Sequence, residues 1–487
     1  MGTTKKGFII SFNKGKTKLL GTVLAYGVDK VELFSLLTTI SSTVFLIVSH
    51  ANGETDASTI SLAIAVGSLL FSLFSFLSKL HKFNISLSLY YAIPIPEEKL
   101  QDIRLSSKYK SIYSIETYNN KSYNERYIYS KTINHQLLSE TFIPLVMDNI
   151  KYSVPHNIKE FVPFALKDRL KQNHKLFNGK SLGLSTDLIP FDRQVNKGNS
   201  ISLNEGETQF ITVKKTKYFD MLTTNHLITN IIKTKENSTK VFDGRSIYLD
   251  NNEVIDLSQS YLSDIIGVNT IAITNDNYVI IGRQGRFSEV SPEDYVPSGS
   301  GSLTQSDVNK IKNHKWTYTK KETYVPGKVE TEHKENKNFL ELIAYGASRE
   351  LIEETNAPRN TKLKTLLLGY VRLLKRGGKP DFFCVSYIDI SKEDIEKRLK
   401  RSKEVKDQIQ GLPVFIELKT SNHANEVYEK ILELENNPYA YSDKNKPQNP
   451  KTKVSLQLHV TGKFIKEFLN DGIDVFELVK NKQDYKK

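Results

Sequence analysis

The feature that most constrains this chain lies near its start. From Leu33 to Gly53 no side chain is charged, from Ala57 to Ser78 none is charged either, and Glu54 and Asp56 are the only charges between the two runs. Each run has roughly the 20 residues that cross a bilayer core at 1.5 Å rise per residue. The pair predicts a transmembrane α-hairpin, about 33-53 and 57-78. A secretory leader fits poorly, because the apolar run begins only after Glu32, a second run follows at once, and no Ala-x-Ala pattern closes it. Lys5, Lys6, Lys14, Lys16, Lys18 and Lys30 precede the first run and Lys79 and Lys82 follow the second, while the connecting loop carries only acids. By the positive-inside bias, both termini are cytoplasmic and the expected location is the cell membrane, as a multi-pass protein. The competing reading is a buried hairpin inside a soluble domain.

The second run carries small residues at Ser61, Ala65, Ser68, Ser72 and Ser75, spaced to fall along one helical stripe. Such stripes let helices approach closely, which points to self-association into a homo-oligomer. Alternatively, each hydroxyl bonds a carbonyl of its own helix and carries no such meaning.

The remainder is polar. With 487 residues, 39% of them hydrophobic, the chain is long enough for two or three domains. Its 68 Lys and Arg against 55 Asp and Glu give a net charge of +13, which suits a phosphate-bearing ligand. The single cysteine, Cys384, excludes a disulfide framework and a multi-cysteine zinc site. Eight tyrosines lie between Tyr90 and Tyr129 among Ser, Asn and Lys. Aromatic and basic residues together can stack on bases, but packing within strands is the reading preferred here, and no nucleic acid polymer is expected as a partner. Pro94 and Pro96 end any helix leaving the apolar region.

Beyond residue 209 the pattern becomes regular. Asn269–Thr274 and Tyr278–Gly282 flank an Asn-Asp-Asn turn and read as a β-hairpin. The glycine-rich Pro297–Ser302 stretch follows, then a helix from about Leu340 to Glu354, then strands at Leu366–Leu374 and Asp381–Ile390. On that helix Glu350, Glu353 and Glu354 stand at i, i+3 and i+4, which places three carboxylates on one face. They repel one another unless a cation lies among them, and an oxygen-rich cluster suits Mg²⁺ or Mn²⁺. An ordinary solvated acidic face explains Arg-Glu-x-x-Glu-Glu equally well when taken alone.

With Glu341 eight residues before Arg349, the stretch resembles the Nudix box, G-x5-E-x7-R-E-U-x-E-E-x-G-U, at Glu341, Arg349, Glu350, Leu351, Glu353, Glu354 and Ala357. Gly299-Ser300-Gly301 before it and Gly377 to Phe383 after it are similar to the surroundings of that box. Two departures stand out. The box glycines are replaced by Glu335 and Asn356, and between Gly301 and Glu341 lies an insert with eight Lys and five acids, readable as a lid, a phosphate-binding loop or a block. Asn tolerates the left-handed conformation that stops a helix.

The resemblance implies a Nudix-type α/β/α sandwich with a mixed sheet at 206-487; with the transmembrane hairpin at 1-82 and a Tyr-rich middle at 83-205, the expected class is α+β. The resemblance further implies divalent metal at Glu350, Glu353 and Glu354, with Arg349 orienting them as part of the catalytic set. Arg283, Arg286, Arg372 and Lys379 are the candidate nucleotide-binding cations. The architecture resembles the two-transmembrane Nudix effectors of CBASS antiphage systems. That implies a receptor for a cyclic oligonucleotide or other nucleotide, which oligomerises on binding and disrupts the membrane. A membrane-anchored Nudix hydrolase of nucleoside diphosphate conjugates is the enzyme alternative, and a structural adaptor is a third.

Overall fold

A computed structural model describes residues 57–481 and parts of 39–51, except 121–122, 141, 166–177, 191–193, 197–199, 203–210, 226, 286–292, 322–328, 403–410 and 442–451. The described N-terminal element is helix α1 (Ala57–Leu89, 33 residues). Among the described residues no helix is long and apolar enough to cross a membrane. This corrects the expected transmembrane hairpin, and the multi-pass membrane location with cytoplasmic termini falls with it. The described apolar side chains of α1, from Ala65 to Leu77, are interrupted by Gly67 and by serines at 68, 72 and 75, and Lys79, His81 and Lys82 follow in the same helix. Phe83, 4% exposed, then joins the main hydrophobic core. Most of the first run lies outside the described residues. The hydroxyls that can be followed bond their own helix: Ser68 donates to the Ala65 carbonyl at 2.9 Å and Thr43 to that of Thr39 at 2.7 Å.

Next come β1 (Ser114–Asn120), β2 (Tyr123–Tyr129), helix α2 (Lys131–Ser139), β3 (Pro144–Lys151), β4 (Lys180–Leu184), β5 (Gln194–Asn196), β6 (Ser200–Ser202) and β7 (Ile211–Lys217). The expected hairpin and glycine-rich stretch are β8 (Gly267–Thr274), β9 (Tyr278–Arg283), β10 (Tyr295–Val296) and β11 (Gly299–Ser302). The insert begins as β12 (Asn313–Lys321) and returns as β13 (Val329–Asn338), which runs into α3 (Phe339–Thr355), the carboxylate helix. Strands β14 (Leu363–Leu373) and β15 (Lys379–Ile388) follow, then α4 (Lys392–Leu399), β16 (Val414–Glu417), α5 (His423–Asn436), α6 (Leu456–Asn470) and α7 (Val475–Asn481).

Two large sheets organise these elements. One is nine-stranded and mixed, ordered β10-β9-β8-β15-β14-β2-β1, with β11 also pairing β8 and β16 also pairing β9. Its parallel step joins β8 to β15, from Gly267 opposite Asp381 to Thr274 opposite Ile388. Strand β15 is buried on both faces because helices cover each side. Phe382 and Cys384 pack with Phe339 and Leu342 of α3, whereas Phe383 and Val385 pack with Phe464 and Ile465 of α6 and Val475 of α7. The second sheet is seven-stranded, ordered β4-β7-β3-β13-β12-β6-β5. Strands from the tyrosine-rich stretch therefore share sheets with strands from the C-terminal half: Tyr129 pairs Val371, and Leu145 pairs Lys337. Five of its eight tyrosines, Tyr109, Tyr113, Tyr118, Tyr127 and Tyr129, are buried packing residues.

Helix α3 forms where the apolar period demands it. Phe339, Leu342, Ile343, Gly346, Ala347 and Leu351 are buried at spacings of three and four, turning one stripe to the sheet. Asn338 caps its start, accepting from the Leu340 amide at 3.0 Å. Asn356 ends it in the left-handed region, φ 51°, a conformation that a short amide side chain tolerates where most residues do not.

Candidate functional site

The site lies where the C-terminal half of α3 meets β11. Glycines make that contact possible through space rather than backbone angle. A Cβ on Gly299 would lie 2.7 Å from the Leu351 amide nitrogen, and one on Gly301 would lie 2.1 Å from the carboxyl carbon of Glu350. The strand thus reaches the helix closely enough for the Ser300 amide and hydroxyl to donate to Glu354 Oε1 at 3.2 and 3.4 Å.

Arg349 organises the other carboxylates. Its Nε and Nη2 donate to the two oxygens of Asp307 at 3.0 and 3.2 Å, and Nη2 also donates to the Ser302 carbonyl at 3.0 Å. Its Nη1 lies 2.8 Å from Glu350 Oε1 and 3.4 Å from Glu353 Oε2. Burial works against the guanidinium charge, but Glu350, Asp307 and Glu353 outweigh it and hold its pKa above the ordinary range. Burial dominates at Glu350, whose side chain is 14% exposed. It is pushed up to about 7, with Arg349 opposing and Glu353 and Asp307 adding to the rise. Glu353 by contrast is 60% exposed. Glu341 sits in the first turn of α3, roughly 12 Å along the axis from Arg349 at 1.5 Å per residue.

The three box carboxylates offer the oxygen donors that Mg²⁺ or Mn²⁺ prefers, but their placement does not fit a metal cradle. Glu350 and Glu353 are drawn to Arg349, and Glu354 Oε1 accepts from Ser300. Among the described residues no group of three or more His, Cys, Asp or Glu is arranged to hold a metal ion.

Two of the expected phosphate-binding cations are buried in the fold. Arg372 is fully buried on β14, where Nη1 pairs with Asp187 Oδ1 at 2.8 Å and Nε donates to the Gly378 carbonyl at 3.2 Å. Lys379 is buried against Asp381; burial, together with Arg376, lowers its pKa despite that partner. Both cations hold the fold together from inside. Arg283 ends β9, half-buried, with its guanidinium 5.9 Å from the Tyr295 ring. Arg286 lies outside the described residues. A groove between α5 and α6 has its cations already seated on aromatic faces, with Lys466 4.9 Å from the Tyr428 ring and Lys463 4.4 Å from that of Tyr129.

Residues that the sequence did not single out complete the site. Asp307 is 1% exposed and is the main anchor of Arg349. Tyr345, one turn before Arg349, has its phenol pKa raised by burial and by Asp307 and Glu353, with Arg349 and Arg359 opposing. The spacing of Tyr345 to Arg349, i to i+4, was available to find it; nothing in the local pattern marks Asp307. No protein-family model matches the chain, and no curated protein matches it.

Proposed function

We propose that residues 206–487 act as a Nudix-type nucleotide-binding module. In this reading the module is a receptor for a nucleotide second messenger of the cyclic oligonucleotide class, with self-association of the chain as the response. The observation that carries it is the bracing of the α3 carboxylates: Glu350 is bonded to Arg349 and Glu354 to Ser300, so the helix end is a fixed surface rather than an open chemical centre. The chain's net charge of +13 favours a phosphate-bearing ligand. Binding drives assembly only if the ligand prefers the assembled state. Titrating the full chain with cyclic di-adenosine monophosphate, and following heat and light-scattering mass together, tests this. Saturable binding with a rise in mass is expected; binding without a change in mass would remove the assembly step, and no binding would remove the receptor.

One observation favours hydrolysis as a second reading. A Glu350 carboxyl pushed up to about 7 is poised to accept a proton at neutral pH. In that role it would take the proton from a water whose oxygen bonds to phosphorus, while the anhydride P–O bond breaks and leaves a nucleoside monophosphate and the phosphorylated remainder. Product analysis with ADP-ribose distinguishes the two.

A further inference from the structure

The described base of the insert resembles a frame rather than a lid. It has two feet. One is Asn338, at the end of β13, whose Oδ1 accepts from the Leu340 amide at 3.0 Å and the Ile143 amide at 3.1 Å, fixing the start of α3 against the chain entering β3. The other is the turn before β12, where Asp307 accepts from the Thr304 amide at 2.8 Å and grips Arg349 with both oxygens. Lys337 ties the feet together, donating to the Val308 carbonyl and, at 3.0 Å, to that of Ile311. Gln305 then ties the second foot to the seven-stranded sheet, donating to the carbonyls of Ser181 on β4 at 3.2 Å and Thr216 on β7 at 3.0 Å.

We infer that Asp307 is the positioning residue of the α3 site, and that through it the seven-stranded sheet sets where Arg349, and hence the Glu350 and Glu353 carboxylates, stand. The chemistry is that of a forked guanidinium. An arginine that meets a carboxylate with two parallel donors is fixed in direction as well as distance. Held so by Asp307, its remaining nitrogen, Nη1, faces Glu350 and Glu353. Asp307 is buried, so water cannot take its place. Without it the guanidinium would be directed by Glu350, Glu353 and the Ser302 carbonyl alone, all on or beside the helix, and displacement of β4 or β7 would no longer reach the site. The inference rests on α3 being the functional site, as proposed above.

The test uses the full chain labelled with ¹⁵N at arginine Nε, with the Arg349 signal assigned by its loss in Arg349→Lys. Asp307→Asn keeps the shape and removes the charge. Exchange of the Arg349 Nε proton with water should quicken by about 10-fold or more, the scale of one hydrogen bond to a charged group. Asp307→Glu, with the charge kept and the carboxylate one methylene further out, should show an intermediate rate. It carries the same readout if Asp307→Asn does not fold. Unchanged exchange in the folded variant overturns the inference. If the unaltered chain binds no nucleotide, the functional reading fails and the exchange measurement still decides the role of Asp307.

Discussion

Arg372 and Asp187 form an ion pair at 2.8 Å with side chains 0% and 3% exposed, joining β14 to a segment 185 positions earlier in the chain. Asp187 also accepts from the Leu257 amide at 2.8 Å and from the Tyr109 hydroxyl, so the pair sits in a satisfied polar network. Breaking a buried pair leaves one charge uncompensated, which costs roughly 3–5 kcal/mol. Arg372→Met is therefore expected to lower the urea unfolding free energy by about that much. Asp187→Asn should cost at least as much, because it strands a fully buried guanidinium that, unlike a carboxyl, cannot shed its charge. Urea titrations of the two variants check the order; equal and small losses would show that the network is not a stabilising junction.

Asp264 gives a pH dependence of known sign. It is buried, lies 3.3 Å from Lys214, and burial raises its pKa from 3.8 to about 6 against the pull of that lysine. A carboxyl whose folded pKa is raised binds its proton more tightly in the native state. Its contribution to stability therefore falls as pH climbs from about 4 to about 6 and is level above that. Asp264→Asn should flatten that part of the stability profile, and it preserves the side-chain type that tolerates the φ of 48° at this position. Unfolding curves at pH 4.5 and pH 7 for both proteins are the measurement; an unchanged difference between the two pH values would contradict the assignment.

Local order was legible in the sequence where it depends on period and on stop residues. The hairpin β8–β9, helix α3 and its end at Asn356 fall where spacing put them, because each is decided by neighbours within a turn or a strand. Arg372 and Lys379 read as nucleotide-binding cations because their burial depends on Asp187 and on the folding of β15 between two layers, neither of which leaves a local trace. Asp307 escaped for the same reason, standing 42 positions from Arg349. The apolar runs misled in the opposite direction: lack of charge over a window says nothing about Lys79 and Lys82 in the same helix, or about Phe83 packing into the core.

The two glycines of β11 should respond differently to the same methyl group. At Gly299 the added carbon meets backbone, 2.7 Å from the Leu351 nitrogen and 2.8 Å from its Cα, so strand or helix must move. Gly299→Ala is expected to cost about 1–3 kcal/mol, the usual penalty of overpacking. At Gly301 the carbon meets the tip of Glu350, a side chain that can swing aside. Gly301→Ala should therefore cost less than Gly299→Ala while displacing the Glu350 carboxylate from Arg349. Thermal melts of both variants decide it, and a reversed order would mean that β11 does not lie against α3 as described.

Glu350 and Glu353 differ in burial, 14% against 60% exposed, and this separates binding from hydrolysis at the site. Glu353 forms an exposed i,i+4 pair with Arg349, and such pairs are worth only about 0.3–0.5 kcal/mol. Glu353→Gln should thus be as stable as the unaltered chain, and any functional loss in it reflects the site rather than the fold. Glu350→Gln removes the site carboxyl that is pushed up to about 7 and leaves a group that cannot accept a proton. If the chain hydrolyses ADP-ribose with Glu350 as base, turnover in Glu350→Gln should drop by about 100-fold or more, the usual contribution of general base catalysis. If the site only binds, both variants should keep the affinity for cyclic di-adenosine monophosphate within about 3-fold, less than the loss of one hydrogen bond to a charged group. Turnover and titration on the same two variants therefore give opposite patterns for the two readings.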